Sequence, residues 1–408
     1  MQTSEPEGAP DGGALSGLRV LDIGTFIAAP FAATLMGEFG AEVIKVELPK
    51  VGDHARRLGT PTEVGDTLVW LSEARNKKSV TIDLRKAEGA GLLKSLAAVS
   101  DVVCENFQAG TLERWGLGWD DLRAVNPKLI LLRISGYGQT GPYASRPCFG
   151  RIANAFGGIS FLSGEPDRPP AQPGSATLSD YMAGLFGAFA VQMALRARDR
   201  TGRGQVIDIA LYEGIFRILD EVAPAFQRNG FVRRREGPET PLVVPHSHYP
   251  TGDGRWVAIA CTNDRIFGRL AEVMGRADMI GDERFSTNAA RIARRGEVNG
   301  IVADWTSGMT RDEALARCAE AEVPCGPVYA IDEIFEDPHY RARGNILYVD
   351  DPRVGRIAVP NVVPRLEGTP GQVRWLGPAL GAHTDEVLSG ALGLDAEHIA
   401  ALRRDNVI

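Results

Sequence analysis

The sequence predicts an α/β protein with a doubly wound parallel sheet in its first third. Two observations predict it: apolar runs of strand length alternate with stretches of helical spacing, and the first helical stretch has Pro30 at its start and Gly40 at its end. The first unit joins "LRVLDIG" at 18–24, "PFAATLMGEFG" at 30–40 and "AEVIKVE" at 41–47. This order favours parallel strands, which place ligand sites at their carboxyl ends.

The same alternation predicts the later elements of the sheet. Further strands are expected at 79–84, 100–106 and 128–135, with a helix at 87–99. Apolar runs this short also occur in buried helices, but the helical periods between them favour strands. Beyond a central helix, the sequence predicts another strand at 206–211 and a helical stretch at 212–227.

The chain is long for a single hydrophobic core, since 408 residues usually divide into two domains. The pattern is mixed between about 228 and 342, whereas the C-terminal tail is helical by period and is expected to return to the first domain. We assign 17–225 and 343–408 to a large domain and 226–342 to a smaller α+β domain. Residues 1–16 are polar and rich in Gly and Pro, which predicts a flexible arm rather than a targeting signal.

The composition narrows the class of partner. The five cysteines form no CxxC pair and no signal segment precedes them, so a reducing cytoplasm is expected. No window approaches the roughly 18 consecutive apolar residues of a membrane span, so no membrane partner is expected. The formal net charge of −7 gives no overall attraction to nucleic acid. An anionic ligand would therefore be bound by local basic groups.

One short motif resembles a dinucleotide fingerprint. "GYGQTG" at 136–141 has the G-x-G-x-x-G spacing, but it continues into "PYASRP" with two prolines and no helical pattern. The helix N-terminus that would bind a pyrophosphate is therefore missing. Glu47 ends the second strand as a ribose-binding acid would, yet the first loop lacks the glycines. An NAD-dependent oxidoreductase remains an alternative, but a less favoured one.

The central helical stretch carries an acidic residue at its start. "ATLSDYMAGLFGAFAVQMALRAR" at 176–198 places Asp180 ahead of about four helical turns of small and apolar residues. Ser179 or Asp180 could simply cap this helix. Small residues such as Gly184 and Gly187 instead predict close packing, a buried helix and a first turn that opens into a pocket. A carboxylate there would lose hydration and could act as a nucleophile.

Several motifs together resemble the family III coenzyme A transferases, which include formyl-CoA, carnitine and dicarboxylate CoA-transferases. They follow the family order from about residue 17 to the C-terminus and include "GLRVLDIG", "GAEVIKVELP", "EARNKKSVTIDLR", "SDVVCENFQAGTLERWGLGWDDL", "ISGYGQTGPY", "SDYMAGLFGA", "RTGRGQVIDIAL" and "VPCGPV". The resemblance implies a Rossmann-like large domain built from both chain ends, a small middle domain and an interlocked homodimer.

The resemblance also implies the chemistry and its residues. The acid at position 180 would attack the thioester of an acyl-CoA and form an anhydride, then an aspartyl-CoA thioester. Acyl-CoA and carboxylic acids would be substrates, with no permanently bound cofactor and no metal. The residues that match the family's CoA contacts are Ile27, Ala28, Arg85, Asn106, Phe107, Gln108 and Arg114, and Arg146 lies beside a position where some members carry a Lys.

Departures from the family pattern narrow the substrate. Ile27 replaces a Gln that formyl-CoA transferases use, and Leu48 replaces a phosphate-binding Arg, for which Arg56 or Lys50 could compensate. The segment "GPETPLVVPHSHYPTGDG" lacks the glycine run of those enzymes. We therefore expect a succinyl-CoA and dicarboxylate type. The candidate cations for a second carboxylate are Arg75, Arg146 and Arg151.

Two further alternatives concern the type of activity. The 2-methylacyl-CoA racemase branch resembles this chain, but its His-Asp pair falls at Phe149 and Gly150, and its Glu falls near Asn263 and Asp264. Without that pair, racemisation lacks a proton acceptor. A CoA-binding module without activity is the other alternative.

His246 and His248 form an H-x-H pair, but without a recognisable third ligand they do not predict a metal site.

Overall fold

A computed structural model describes residues 13–175 and 177–408 of the protein. The chain divides into two compact units: one extends to Ile159 and includes Pro173–Asn229 and Ala342–Ile408, and the other comprises Ser160–Gln172 and Gly230–Arg341. The segment Ser160–Gln172 groups with the second unit, although the sequence analysis assigned it to the large domain. The predicted arm at 1–16 lies outside the described residues except for 13–16, where the Leu15 N–H donates to the Phe39 carbonyl at 2.8 Å.

The strands and helices occur in chain order as follows. The strands are β1 Arg19–Asp22, β2 Glu42–Glu47, β3 Lys77–Thr81, β4 Val102–Glu105, β5 Ile130–Ser135, β6 Val206–Ala210, β7 His246–Pro250, β8 Trp256–Ala260, β9 Cys325–Pro327, β10 Ile346–Asp351 and β11 Gly355–Pro360. The helices are α1 Ala28–Glu38, α2 Leu68–Glu73, α3 Ala87–Ala98, α4 Thr111–Arg114, α5 Trp119–Val125, α6 Gly150–Phe156, α7 Ile159–Leu162, α8 Leu178–Thr201, α9 Leu211–Arg217, α10 Val222–Asn229, α11 Asp264–Val273, α12 Asp278–Gly281, α13 Asn288–Ala293, α14 Arg295–Ser307, α15 Arg311–Glu320, α16 Ile331–Glu336, α17 Pro338–Arg343, α18 Thr384–Leu392 and α19 Ala396–Arg404.

The first unit is built on a six-stranded parallel sheet in the order β3-β2-β1-β4-β5-β6. This confirms the predicted α/β class and the parallel sheet. The strand order reverses between β1 and β4, which are neighbours in the sheet. The connections that follow these two strands therefore run to opposite faces of the sheet and leave a crevice between them. Such a crevice is the usual ligand site of an open α/β sheet. A hairpin of β10 and β11 completes this unit.

Helices cover both faces of the sheet because successive strand residues point to opposite sides. Leu21 packs in a core with α3, α5, α18 and α19, whereas its neighbour Val20 packs in a core with α1, α6 and α8. The C-terminal tail therefore contributes two helices to the first unit.

The central helix α8 differs in two ways from the sequence analysis. It spans 24 residues and begins at Leu178 with Thr177 as its N-cap, so Asp180 lies inside the first turn, and the proposed cap at Ser179 or Asp180 is wrong. The helix is also buried along one face only, since Leu185 and Phe189 are exposed. Helix α8 is long enough to cross a membrane, and an 18-residue stretch within it has a mean hydropathy of 1.2, typical of a membrane span. Of the residues in that stretch, 33% are buried in the protein. Gly184 and Gly187 pack on α1 and β5, so we interpret α8 as a core helix of the sheet.

The helical stretch predicted at 212–227 is broken. Helix α9 ends at Arg217 and α10 begins at Val222. Asp220 between them has φ of 49°, in the left-handed region that interrupts a helix. The apolar period continues across the break, which is why it was not visible in the sequence.

The second unit has its own antiparallel sheet and core. Its strands pair in the order β7-β8-β9, and helices α11, α14 and α15 pack on them through residues such as Phe267, Val302 and Cys318. The fully buried Arg291 donates hydrogen bonds to the carbonyls of Val244 and Phe285, each at 2.7 Å.

Candidate active site

A cavity of about 340 Å³ opens at the carboxyl edge of the parallel sheet. The loops that follow β1, β4 and β5 border it, together with the first turns of α1 and α8. Its lining includes Thr25, Phe26, Ala28, His54, Asn106, Phe107, Gln108, Ser135, Gly136, Arg146, Cys148, Phe149 and Asp180. The cavity therefore lies where the strand order predicts a ligand.

Close helix packing brings Asp180 to this cavity. A Cβ on Gly184 would stand 2.6 Å from the Ala28 carbonyl oxygen, and one on Gly187 would stand 3.0 Å from the Leu132 side chain. Glycine at 184 therefore permits α8 to lie this close to the backbone of α1, whereas a side chain at 187 would require the Leu132 side chain to shift. The Ser179 hydroxyl anchors the same turn by donating to the Gly150 carbonyl at 3.0 Å.

The Asp180 carboxyl is half-buried at the N-terminus of a long helix. Burial raises the pKa of Asp180 to about 6, because desolvation disfavours the charged form, and the amide of Asp180 itself partly offsets this effect. At neutral pH the group is therefore an ionised carboxylate that lacks part of its hydration. Such a carboxylate is a stronger nucleophile than one in bulk water.

Cys148 lies beside Asp180 in the cavity. Its pKa is raised by burial and by the negative charge of Asp180, while a hydrogen bond with Tyr137 lowers it, so the thiol stays neutral. A Cβ on Gly136 would stand 2.2 Å from the Cys148 Cβ. The motif "GYGQTG" thus begins with a glycine that leaves room for Cys148, and no helix begins within it.

The loop after β1 forms another wall of the cavity. Phe26 has φ of 60°, in the left-handed region, which costs a non-glycine residue about 1 kcal/mol or more. Its ring stacks on His54 with centroids 5.1 Å apart and meets Phe149 edge-on at 6.0 Å. This strained position places an aromatic ring against the Asp180 cavity.

The loop after β4 is held by a buried glutamate. The Phe107 N–H donates to Glu105 at 2.7 Å, and Arg133 donates to the same carboxyl at 2.6 Å. Burial raises the pKa of Glu105 to about 7, while Arg133 opposes this effect. Gln108 is fixed by a hydrogen bond from its amide to the Ser145 carbonyl.

A second cavity of about 180 Å³ lies alongside the first. The two cavities share Thr25, His54 and Phe107, so they form one cleft along the carboxyl ends of β1, β2, β3 and β4. Arg85 and the ring of Trp115 border the second cavity, and Trp115 packs edge-on against Phe107 at 5.1 Å. A cleft with a cation and flat rings suits a ligand that carries phosphate and a base.

The structure brings most of the predicted site residues together. Ala28, Asn106, Phe107, Gln108 and Arg146 border the cavity of Asp180, and Arg85 borders the adjoining one. Ile27 and Arg114 border neither cavity. Ile27 is buried at the start of α1, and Arg114 donates to the Thr111 hydroxyl at 2.8 Å.

Some candidate cations have structural partners instead. Arg75 is buried, donates to Glu38 at 2.7 Å and to the Pro360 carbonyl, and borders neither cavity. It is therefore unsuited to bind a second carboxylate. Arg56 is likewise buried between Glu47 and the ring of Trp70, so it does not replace the arginine missing at Leu48.

The remaining candidates lie in different surroundings. Arg146 is exposed at the cavity with its guanidinium 3.7 Å from the ring centroid of Tyr143. Arg151 is exposed at the start of α6 and does not border the cavity. Lys50 donates to the Asn406 side chain.

Phe26, His54 and Cys148 also border the cavity, although no sequence pattern predicted them as site residues. Phe26 directly follows β1, a position that the sheet topology makes relevant, but its ring orientation depends on a positive φ that hydropathy does not reveal. His54 and Cys148 reach the cavity from separate loops. Within residues 13–175 and 177–408, no group of three His, Cys, Asp or Glu side chains could hold a metal ion.

Comparisons with known proteins identify relatives over nearly the whole length of the chain. A sequence model of the family described as CoA-transferase family III matches residues 15–384. The chain is 52% identical to the succinyl-CoA–L-malate CoA-transferase alpha subunit of Chloroflexus aurantiacus, over 99% of this chain and 96% of the relative. It is 36% identical to the succinate–glutarate CoA-transferase of Agrobacterium fabrum, over 92% and 95%.

A solved structure shares the fold. A CAIB/BAIF family protein from Brucella suis superposes with a TM-score of 0.82 at 35% sequence identity, and the match covers 93% of this chain and all of that one. The similarity therefore extends over nearly the whole length of both chains.

Proposed function

This chain belongs to family III of the CoA-transferases, and we propose that it moves coenzyme A from succinyl-CoA to a second dicarboxylic acid through covalent intermediates on Asp180. The observation that carries the proposal is the half-buried Asp180 carboxyl, with its pKa raised to about 6, in a cavity that continues into a cleft lined by Arg85 and Trp115. The names of relatives at 52% and 36% identity support succinyl-CoA and dicarboxylic acids as the substrate class.

The proposed reaction exchanges acyl groups without water. The Asp180 carboxylate attacks the thioester carbonyl of the donor, the carbon–sulfur bond breaks, and CoA leaves as a thiolate from an aspartyl acyl anhydride. The thiolate then attacks the Asp180 carbonyl, which releases the donor acid and leaves an aspartyl-CoA thioester. The acceptor carboxylate repeats both steps in reverse, and Asp180 is regenerated.

The surroundings of Asp180 suit this sequence of steps. A carboxylate that is poorly hydrated loses less solvation when it attacks, and the first-turn amides of α8 favour negative charge at that end of the helix. The neighbouring Cys148 is kept neutral by burial and by the Asp180 charge, so it does not compete as a thiolate. An anhydride formed here would be shielded by Phe26 and Phe149, which border the cavity.

The adjoining cavity is the proposed CoA site. Arg85 is 59% exposed and pairs with Asp83, so its guanidinium remains accessible to a phosphate. Phe107 and Trp115 supply flat apolar surface beside it. This placement directs the thioester end of CoA toward Asp180 through the shared residues of the two cavities.

Arg146 is the proposed partner of the second carboxylate of the acids. Of the three arginines that the sequence suggested, Arg146 borders the Asp180 cavity, whereas Arg75 pairs with Glu38 and Arg151 lies elsewhere. A guanidinium binds a carboxylate through two parallel hydrogen bonds, which gives a dicarboxylic acid a defined orientation.

We further propose that the active form is a homodimer. The exposed face of α8 carries Leu185, Phe189 and Met193, each more than half exposed, at helical spacing. Leu185 and Phe189 border an apolar groove of about 390 Å³ with Val363 and Leu366. A face this apolar suits a second copy of the chain better than water.

The five cysteines are free thiols, which supports the expected cytoplasmic location.

A donor and acceptor panel tests the function. Wild-type protein is mixed with succinyl-CoA and each of several mono- and dicarboxylic acids, and new acyl-CoA is measured by mass spectrometry. We expect transfer to dicarboxylic acids, and a loss of about 10³-fold or more in Asp180→Asn with CoA binding retained. Asp199→Asn, an exposed carboxylate at the other end of α8, is the matched control and should stay active.

Two results would reject the proposal. Absence of transfer with every acid would exclude the transferase. Solvent deuterium at C2 of a 2-methylacyl-CoA, without an acceptor acid, would instead support the racemase alternative.

A further inference from the structure

We propose that Asn106 and a buried charge network of Asp22, Lys45, Asp53 and Lys77 are positioning residues that fix the Gly24–Phe26 loop against the Asp180 cavity. The inference rests on the proposed function and adds residues that act through the loop rather than on the substrate. It reassigns Asn106, which the family resemblance suggested as a CoA contact.

The buried charge network lies directly beneath the loop. Lys45 pairs with Asp53 at 2.8 Å and with Asp22 at 3.5 Å, and Lys77 pairs with Asp22 at 2.8 Å. All four side chains are at most 1% exposed. Two lysines and two aspartates balance in charge, as buried ions must.

The network also bonds to the backbone of the loop. The Gly24 N–H donates to Asp22 at 3.1 Å, the Gly24 carbonyl accepts from Lys45, and the Phe26 N–H donates to Asp53 at 2.9 Å. At the start of α1, the Pro30 carbonyl accepts from Lys77 at 2.7 Å. The network therefore holds both ends of the chain segment that connects β1 to α1.

Asn106 holds the residue in the middle of the loop. Its side-chain oxygen accepts from the Thr25 N–H and its amide donates to the Thr25 carbonyl, both at 2.7 Å. A Cβ on Gly24 would stand 2.9 Å from the same oxygen. Because both polar atoms of Asn106 are engaged with Thr25, this side chain ties the loops after β1 and β4 together across the point where the strand order reverses.

The result is a loop with a fixed, strained conformation. Five consecutive backbone groups, from the Gly24 N–H to the Phe26 N–H, are bonded to side chains of this set. Phe26 keeps its positive φ within these bonds, and its ring borders the cavity. None of the four network side chains borders the Asp180 cavity, and of the four only Asp53 borders the adjoining one, with its side chain 1% exposed. We infer that their effect on the reaction passes through the loop.

The test uses Asn106→Ala with Asn126→Ala as the matched control. Asn126 also donates two hydrogen bonds from its amide to backbone, to Ala97 at 3.0 Å and Ser100 at 2.8 Å, but it does not border either cavity. Hydrogen exchange of the peptide that covers 21–31 and steady-state kinetics are measured for both variants. We expect faster exchange at Thr25 and Phe26 and a kcat about 10- to 100-fold lower in Asn106→Ala alone.

Asp53→Ala provides a second, independent arm. Asp53 borders the adjoining cavity, so the dissociation constant for CoA is measured with this variant as well. Its side chain is 1% exposed, so Asp53→Ala should lower kcat as Asn106→Ala does while that constant stays unchanged, and Asp53→Asn, which keeps an acceptor for Phe26, should recover part of the activity. In the double variant the two losses should be less than multiplicative because both act through one loop. If Asp53→Ala does not fold, the Asn106→Ala and Asp53→Asn variants test the proposal without it.

Two results would overturn the proposal. One is unchanged exchange at 24–26 in Asn106→Ala. The other is a higher dissociation constant for CoA with unchanged kcat, which would make Asn106 a CoA contact. Since exchange is measured without substrate, it distinguishes failure of this inference from failure of the proposed transferase.

Discussion

Gly184 of α8 lies against the backbone of Ala28 at the start of α1, where a Cβ on Gly184 would stand 2.6 Å from the Ala28 carbonyl oxygen. This contact brings the first turns of both helices to one cavity. The position of Asp180 therefore depends on the absence of a side chain one helical turn further along the same helix.

We expect Gly184→Ala to destabilise the protein by about 1–3 kcal/mol, because the added methyl group must push α8 away from α1. The matched control is Gly91→Ala in α3, where a Cβ meets nothing within 4 Å. That change should be neutral or stabilising by up to about 1 kcal/mol. Denaturant unfolding of the three proteins measures the difference, and equal effects of the two substitutions would contradict the packing argument.

The rate of transfer should depend on pH through Asp180. Its pKa is raised to about 6, and the nucleophile is the deprotonated form. Above about pH 6, kcat/KM should therefore be independent of pH. Below about pH 6 it should decrease tenfold for each unit by which the pH is lowered. The pH profile with saturating acceptor measures this. A profile that stays flat down to pH 4.5 would show that an ordinary, solvated carboxylate or another group is responsible.

Arg146 should determine the preference for dicarboxylic acids. Arg146→Met removes the cation from the cavity, so we expect the KM of a dicarboxylic acceptor to rise about tenfold or more, since a hydrogen bond to a charged group contributes about 1.5–3 kcal/mol. The KM of a monocarboxylic acceptor should change little. Arg151→Met is the matched control, since Arg151 does not border the cavity. Equal effects on both acceptor classes would remove Arg146 from this role.

The apolar face of α8 should be buried in the assembled enzyme. Phe189 is 59% exposed in the single chain, and Phe189→Glu would place a charge in the proposed interface. We expect this variant to be monomeric by sedimentation at concentrations where the wild type is dimeric. Val99→Glu, at a residue 47% exposed at the end of α3, is the control. A wild type that is itself monomeric would contradict the homodimer.

The sequence predicted the strands of the sheet well where hydropathy marked them and less well where charge was buried. Strand β3 was expected at 79–84 but runs Lys77–Thr81. Lys77 is fully buried because it pairs with Asp22, a partner 55 positions away that no local pattern reveals. The same limit explains Arg75 and Arg56, which were candidates for ligand binding and are instead buried partners of Glu38 and Glu47.

The cavity was predictable in its location and in part of its lining. A parallel sheet places its site at the carboxyl ends of the strands, and the motif residues Asn106, Phe107 and Asp180 meet there. What the sequence did not show was how the loops are held. Phe26, with its positive φ, donates its N–H to Asp53, which lies 27 positions away in the sequence, and such contacts between distant segments have no periodic signal.

The most direct test of the central claim is peptide mass spectrometry of the protein after incubation with succinyl-CoA and rapid quenching in hydroxylamine. The account predicts a hydroxamate on the peptide that contains Asp180 in the wild type and in Asp199→Asn, and none in Asp180→Asn. A wild-type protein that transfers CoA while Asp180 remains unmodified, or a modification on Cys148 instead, would contradict it.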